Sequence, residues 1–438
     1  MRLPSVTTLV GNEIEGDDKW LDSVCGADDC IYGIPCDARR VVKFNPVDNS
    51  LTEIGPDLGE REWKWVCGVL ADNGCIYCIP SGHRGSNQIL KIDSINGTVT
   101  LLDAETGPGF WDSGALAIDG CIYFMPLNAT HILKLNPEND SVASVGDHLG
   151  DMCSKYRGTV VGKDNCLYGI PNNSNRIVRF NPVDQSISFV GDEARDCFYC
   201  DGNGALGRDG CIYALTHRGR RVLKIDVANN TYDSIVLEGL QSQYFGLISA
   251  ILGNDGCIYW PPYVSYHALK FDPETKLASL VGDDFGGETP STKWRSGSAG
   301  PNGAIYCIPY RVSRVLVIDP FKEFAMGLQA NLEQYPQELG RLFKIDDDKH
   351  GKTTFECAVR KFGIEKVFEV IQDCSIPSSV ECSGSRIPSF MVASSFENSA
   401  VSIIYYLLRN NVDSSSLVTS HGSEDVMNME ESKKRKRG

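Results

Sequence analysis

Residues Asp209–Asp226 read "DGCIYALTHRGRRVLKID". Two short β-branched and aromatic runs stand either side of a polar, Arg-rich break, and an Asp-Gly pair precedes the first. The phrase returns as "NGCIYCIPSGHRGSNQILKID" from Asn73 and "DGCIYFMPLNATHILKLNP" from Asp119. Anchored on the residue before Ile-Tyr or Leu-Tyr, copies fall at Cys30, Cys75, Cys121, Cys166, Cys211, Cys257 and Ala304, in steps of 45 to 47 residues. A fixed period of this length marks a propeller or solenoid.

Each copy divides into four segments. One runs into the anchor ("WVCGVLADNG"), the second carries it ("CIYCIP"), and the third and fourth follow as "ILKIDS" and "VTLLD". Their β-branched and aromatic content, bounded by Gly, Pro, Asn and Asp, reads as strands separated by turns. "DNG", "IDG" and "NDG" fit tight hairpins, where Gly supplies positive φ. Four strands in each of seven copies predict an all-β seven-bladed β-propeller. The seventh copy ends at its third segment, Val315–Pro320, and the missing fourth matches "SVTTLVG", Ser5–Gly11. The N-terminal strand is therefore expected to close the last blade, leaving no free edge.

The chain has 438 residues and a formal charge of −15. Residues 1–320 hold 27 Lys/Arg against 40 Asp/Glu. That acidity opposes general nucleic-acid binding, which needs cations to displace counterions. No apolar run is long enough to span a bilayer, and "MRLPSVTTLVGNEIEG" lacks the apolar core of a secretory signal. Seventeen cysteines without such a signal read as reduced thiols in the cytosol or nucleus. Sheets stack about 10 Å apart, beyond the roughly 7 Å that a disulfide allows. The six anchor cysteines are accordingly expected as small buried thiols between blades. Cys75 and Cys78 share a strand and face opposite sides. Cys197 and Cys200 fall in a loop without partner ligands at zinc spacing.

In a propeller the first strand is innermost, and the fourth-to-first and second-to-third loops open on one face. Here the former are acidic ("GNEIEGDDKW", "GPDLGEREWKW") and the latter often basic, with Arg39, Arg40, Arg84, Arg176, Arg218, Arg220, Arg311 and Arg314. Ten residues before the anchor stand Trp20, Trp65, Trp111, Tyr156 and Trp294. Together with Arg40, Arg84, Arg220 and Arg311 they are candidate partner-binding residues, because Trp, Tyr and Arg are the usual interface hot spots. The competing reading is that these aromatics pack the start of each inner strand, and their recurrence favours it.

Catalysis finds little support. His83, His131, His217 and His267 fall in second-to-third loops. Asp22, Asp112, Asp201 and Asn203 sit on inner strands, but their offsets from the anchor differ. The convergence of oxygens that a hard cation requires is therefore not expected, and neither a cofactor nor a metal ligand set is assigned.

After Pro320 the repeat stops. Residues 321–412 show helical spacing in "FKEFAMGLQANLEQ", "TTFECAVRKFGIEKVFEVIQD" and "IPSFMVASSFENSAVSIIYYLLRNN". Thr353–Ala358 and Ile387–Ala393 partly match the opening of ankyrin repeats, so a small α-helical, ankyrin-like C-terminal domain is expected, its units joined by a flexible "CSIPSSVECSGSR" linker. Residues 413–438 are polar and Ser-rich, with disorder expected. They end in Lys433, Lys434, Arg435, Lys436 and Arg437, which suit an importin-read nuclear signal.

The phrase "DGCIYxIP…RVLKIDP…VG…KW…G", spanning residues 5–320, resembles β-propeller repeat proteins of uncharacterised function from diatoms and related algae. "PSFMVASSFENSAVSIIYYLLRN" is similar to the helical segment attached to them. The resemblance implies a fold and no activity. The functional expectation is an intracellular scaffold, nuclear or cytoplasmic, docking a protein partner on the loop face. The alternative is a hydrolase or lyase of the propeller lactonase type with an ion in the channel.

Overall fold

The computed structural model describes residues 6–82, 88–103, 106–107, 109–194, 198–216, 221–238, 247–286 and 292–322, with positions 325, 345–346, 352–353, 358, 362, 379–382 and 385–388 beyond them. Seven four-stranded antiparallel sheets form the seven blades. The first comprises Trp20–Cys25, Ile31–Pro35, Val41–Asn45 and Ser50–Ile54 in spatial order. The last is mixed in origin: Ser298–Ala299, Ile305–Cys307 and Val315–Ile318 are completed by Thr7–Val10. Thr7 pairs with Ile318 and Val10 with Val315. The expected closure by the N-terminal strand is thus present.

Burial explains the strand grammar. Second strands such as Ile31–Pro35 and Ile122–Pro126 are buried at every position. They lie between two partner strands, with a neighbouring blade over each face, and so read as unbroken apolar runs. Outermost strands such as Ser141–Val145 are mostly open to solvent. The core is a circle of inter-blade clusters. One joins Tyr32 and Ile34 of the first blade to Trp65, Ile76 and Leu90 of the second. Another joins Ile305's neighbours Ala304 and Tyr306 back to Ile31 and Phe44 of the first. Cys75 and Cys78 belong to different clusters, on opposite faces of their strand. The anchor cysteines are buried and unbridged.

A side-chain triad repeats with the blades. Two residues before the anchor, an Asp or Asn caps the hairpin, and two residues after it a Tyr reaches back. Tyr123 donates to Asp119 at 2.8 Å and Tyr213 to Asp209 at 2.7 Å. Directly opposite the Tyr, the third strand places a cation: Lys134 faces Tyr123 and bonds Asp119 at 3.1 Å, while Arg179 faces Tyr168 and bonds Asp164 at 2.8 Å. In the seventh blade the cation is replaced by Val317, and the capping residue is the neutral Asn302, which donates to Tyr306 at 2.8 Å. Charge is dropped at both ends of the triad together, so no carboxylate is left half-buried without its cation.

The chain divides into two compact units, Met1–Glu323 and Phe324–Gly438. The expected helical domain is not supported. Described helical residues in this stretch are Pro320–Lys322, Ala325, Ala358 and Phe362, whereas Ile345–Asp346 pairs with Lys352–Thr353 and Ser379–Cys382 with Ser385–Pro388. Thr353, Ile387 and Pro388, read as openings of ankyrin-like helices, are strand residues, and the supposed linker contributes a hairpin. The register there pairs Val380 with Ile387. The rest of 321–412, the tail 413–438 and its basic run lie outside the described residues.

Candidate functional site

The start of each inner strand decides what faces the propeller axis. Trp20 pairs with Pro35 and Asp22 with Ile34, so Leu21 is left over as a β-bulge. The same shift occurs between Trp65 and Cys67, Trp111 and Ser113, and Tyr156 and Gly158. In an unbroken strand, residues nine and eight before the anchor would point to opposite faces. The bulge suspends that alternation, and both line one axial cavity of about 60 Å³. The cavity is walled by Leu21, Val66, Asp112, Arg157, Gly202, Ile248 and Arg295 from one ring and by Asp22, Cys67, Ser113, Asn203, Ser249 and Ser296 from the next. Gly202 is required here, since a Cβ would overlap the Ile248 carbonyl.

Asp22, Asp112 and Asn203 all line this cavity despite their unequal offsets, and for Asp22 and Asp112 the bulge is the reason. Asp201 does not line the cavity and instead accepts from Asn172 at 3.4 Å. The chemistry of the cavity is mixed in sign. Asp22 accepts the Ser23 N–H at 2.8 Å, the Ser296 hydroxyl at 2.6 Å and the Gly68 N–H at 3.1 Å. It ties the first, second and seventh blades together, and burial raises its pKa against the pull of those donors. Asp112 stands 3.9 Å from the Arg157 guanidinium. Arg157 Nε is buried and has no hydrogen-bond partner among the described residues. Among the described residues no group of three or more His, Cys, Asp or Glu could hold a metal.

The five aromatics ten before the anchor are buried, from 1% exposed at Trp65 to 4% at Trp111. Trp20, Trp65, Trp111 and Trp294 each donate the indole N–H to a carbonyl of their own blade's second-to-third loop, at 2.8–3.0 Å. Tyr156 receives the Ser174 hydroxyl at 3.5 Å. These rings pack the loop face from beneath and offer no surface to a partner. Four of them, Trp20, Trp65, Tyr156 and Trp294, follow a buried lysine, whereas Trp111 follows Phe110. Lys64 and Lys155 bond the carbonyls of Arg61 and Met152, three residues back. Lys19 bonds Gly16 and, across the ring closure, Val312. Burial pushes the Lys19 ammonium down to about 8 and lowers Lys64, Lys155 and Lys293 as well.

What the loop face exposes lies two residues earlier. Asp18, Trp63, Ser154 and Tyr199 all adopt positive φ near 50°. This turns the chain outward just before the buried Lys and aromatic of the first, second and fourth blades, and before buried Cys200 in the fifth. Trp63 is 40% and Tyr199 49% exposed, with Met152 at 53% and Tyr266 at 48% on the same face. Exposed carboxylates surround them, Glu13, Glu15, Glu62 and Asp151 among them. The loops are laced together: Leu58 donates to Arg39, Leu149 to Thr130, Ala194 to Asn175 and Phe285 to Tyr266, all through the backbone.

The candidate arginines behave as loop fasteners where described. Arg311 makes a two-pronged pair with Asp18 at 2.5 and 2.9 Å, which lowers the Asp18 carboxyl. Arg40 bonds the Gly55 carbonyl, and Arg39 pairs with Asp57 and Glu60. Arg84, Arg218, Arg220, His83, His217 and Cys197 lie outside the described residues. Sequence reading missed Arg157 and Arg295, because nothing in the repeat announces the bulge. The recurrent Lys-Trp at Lys19, Lys64 and Lys293 was the available signal that this position is structural.

No family model matches the chain, and no curated protein matches it. Solved structures do. A catalytically inactive virginiamycin B lyase from Staphylococcus aureus with quinupristin is similar at a TM-score of 0.59 and 12% identity, over 71% of this chain and 98% of that one. A streptogramin B lyase is similar at 0.54 and 15% identity, over 71% and 96%. The WD40 β-propeller domain of Doa1 is similar at 0.53 and 13% identity, over 72% and 98%. At these identities the likeness is one of fold.

Proposed function

We propose that the propeller is a protein-interaction module and that its docking surface is the loop face. The observation that carries this reading is the placement of exposed Trp63, Tyr199 and Tyr266 among acidic loops held rigid by a lattice of backbone bonds and buried lysines. Aromatics on a pre-ordered surface lose little conformational entropy on binding, and they are favoured interface anchors. Surrounding carboxylates select a partner segment rich in Lys or Arg. Among the described residues no helix is long and apolar enough to cross a membrane. The basic run Lys433–Arg437 extends the proposal to recognition by an importin and a nuclear location.

The enzyme reading with a channel metal is less well supported. The axial cavity sets two guanidiniums beside its two carboxylates, and a dication would meet both. Affinity capture from source-cell lysate tests the docking proposal. Trp63→Ala with Tyr199→Ala should abolish capture of a specific partner while leaving the melting temperature unchanged. Retained capture would reject the loop-face surface.

A further inference from the structure

We infer that the axial cavity is a binding site for a small carboxylate, held between Arg157 and Arg295. The site is distinct from the exposed loop surface and does not depend on the docking reading. Arg157 belongs to the fourth blade and Arg295 to the seventh, at the same repeat position, and both line one axial space. A guanidinium carries five donors and no acceptor. Arg157 Nε is buried without a hydrogen-bond partner among the described residues, and the nearest described carboxylate oxygen to its guanidinium, on Asp112, is 3.9 Å away. The other carboxylate in the cavity, Asp22, feels the Arg295 charge but takes its hydrogen bonds from Ser23, Gly68 and Ser296.

The remaining wall fits the same guest. Ser249 Oγ lies 3.3 Å from Ser296 Oγ, whose proton goes to Asp22, so Ser249 is the hydroxyl left to donate to a guest, and Leu21, Val66 and Ile248 present apolar surface. A planar carboxylate matches the guanidinium fork, and a short alkyl group matches the apolar side. The volume of about 60 Å³ suits an acid of formate or acetate size. A dication is disfavoured by the two arginines, and a cationic amine by the same charge.

Saturation-transfer NMR on the full chain with acetate tests the proposal, with methylammonium as the cationic control. Acetate transfer should be seen, nitrate should displace it, and Arg157→Gln and Arg295→Gln should each weaken binding about 10-fold or more. Asp112→Asn removes the competing carboxylate from Arg157 and should tighten binding about 3-fold. If an arginine variant loses its cooperative melt, Asp112→Asn and nitrate competition decide. No acetate transfer at about 20 mM, transfer unchanged in folded Arg157→Gln and Arg295→Gln, preference for methylammonium, or no response to both Asp112→Asn and nitrate would each overturn the site.

Discussion

The Tyr77 hydroxyl donates to Asp140 Oδ1 at 2.7 Å, across the boundary between the second and third blades. In neighbouring blades the equivalent Tyr uses the Asp of its own hairpin, as Tyr123 does with Asp119. The second blade has Asn73 there, and Asp140, from the turn between the third and fourth strands of the next blade, takes over. It bonds Lys91 at 2.9 Å as well, so one carboxylate serves the whole triad from outside. Asp140→Ala should therefore cost about 1–2 kcal/mol in urea unfolding. Adding Asn73→Asp to that variant should restore most of the loss by rebuilding the in-blade arrangement. Failure of the second substitution to rescue would show that Asp140 acts by another route.

The two tryptophans Trp63 and Trp65 are separated by one residue and have opposite roles. Trp65 is buried and bonded to the Gln88 carbonyl, while Trp63 is 40% exposed. Trp65→Ala should destabilise the propeller by about 3–5 kcal/mol. Trp63→Ala should stay within about 0.5 kcal/mol of the parent, as read by denaturant midpoint. Equal losses would mean that the positive-φ turn does not separate surface from core.

Lys19 gives a pH signature. Its folded-state pKa is lowered to about 8 from 10.5 by burial, so between those values the unfolded chain holds a proton that the native one has released. Stability contributed by this group accordingly rises with pH across that window. Thermal unfolding at pH 7.5 and 9.5 should show the parent gaining relative to Lys19→Met. A constant difference between the two proteins at both pH values would mean that the ammonium is not desolvated.

Deleting residues 1–11 should leave Val315–Ile318 as an open edge and strip Thr7 from Asp283, whose N–H donates to the Thr7 hydroxyl at 2.8 Å. The expected result is a lower melting temperature with concentration-dependent light scattering. A Ser5–Gly11 peptide added in trans should reverse part of both. An unchanged melt would show that the borrowed strand adds nothing.

Thiol reactivity should sort by depth. Cys153 is exposed, whereas burial raises Cys30, Cys166 and Cys211 to about 11. In a disulfide-exchange assay on folded protein, Cys153→Ser should remove a fast phase. The anchor thiols should react only on unfolding.

The blades were legible because the same strand and turn chemistry is written at each anchor. Asp28 or Asn73 two residues before it, and Tyr32 or Tyr77 two after it, repeat often enough for the register to survive local variation. The N-terminal closing strand followed from counting segments. The aromatics were legible as a repeated position, yet whether that position is surface or core depends on which way the chain turns at Asp18, Trp63, Ser154 and Tyr199. Nothing local in the letters states that turn, since an ordinary L-residue is forced into positive φ by loop packing. Beyond Pro320, helical periodicity misled at Thr353 and Ile387–Pro388, where strand pairing prevailed.

By itself the sequence determined the number of blades, their four-strand content and the origin of the final strand, because alternation, turn residues and period are local properties that add up over repeats. Only the tertiary structure decided that Asp22, Asp112, Arg157, Asn203 and Arg295 share one cavity. That meeting needs seven inner strands to converge on an axis, and a bulge in the early blades to turn two successive side chains toward it, and both are consequences of closing the ring.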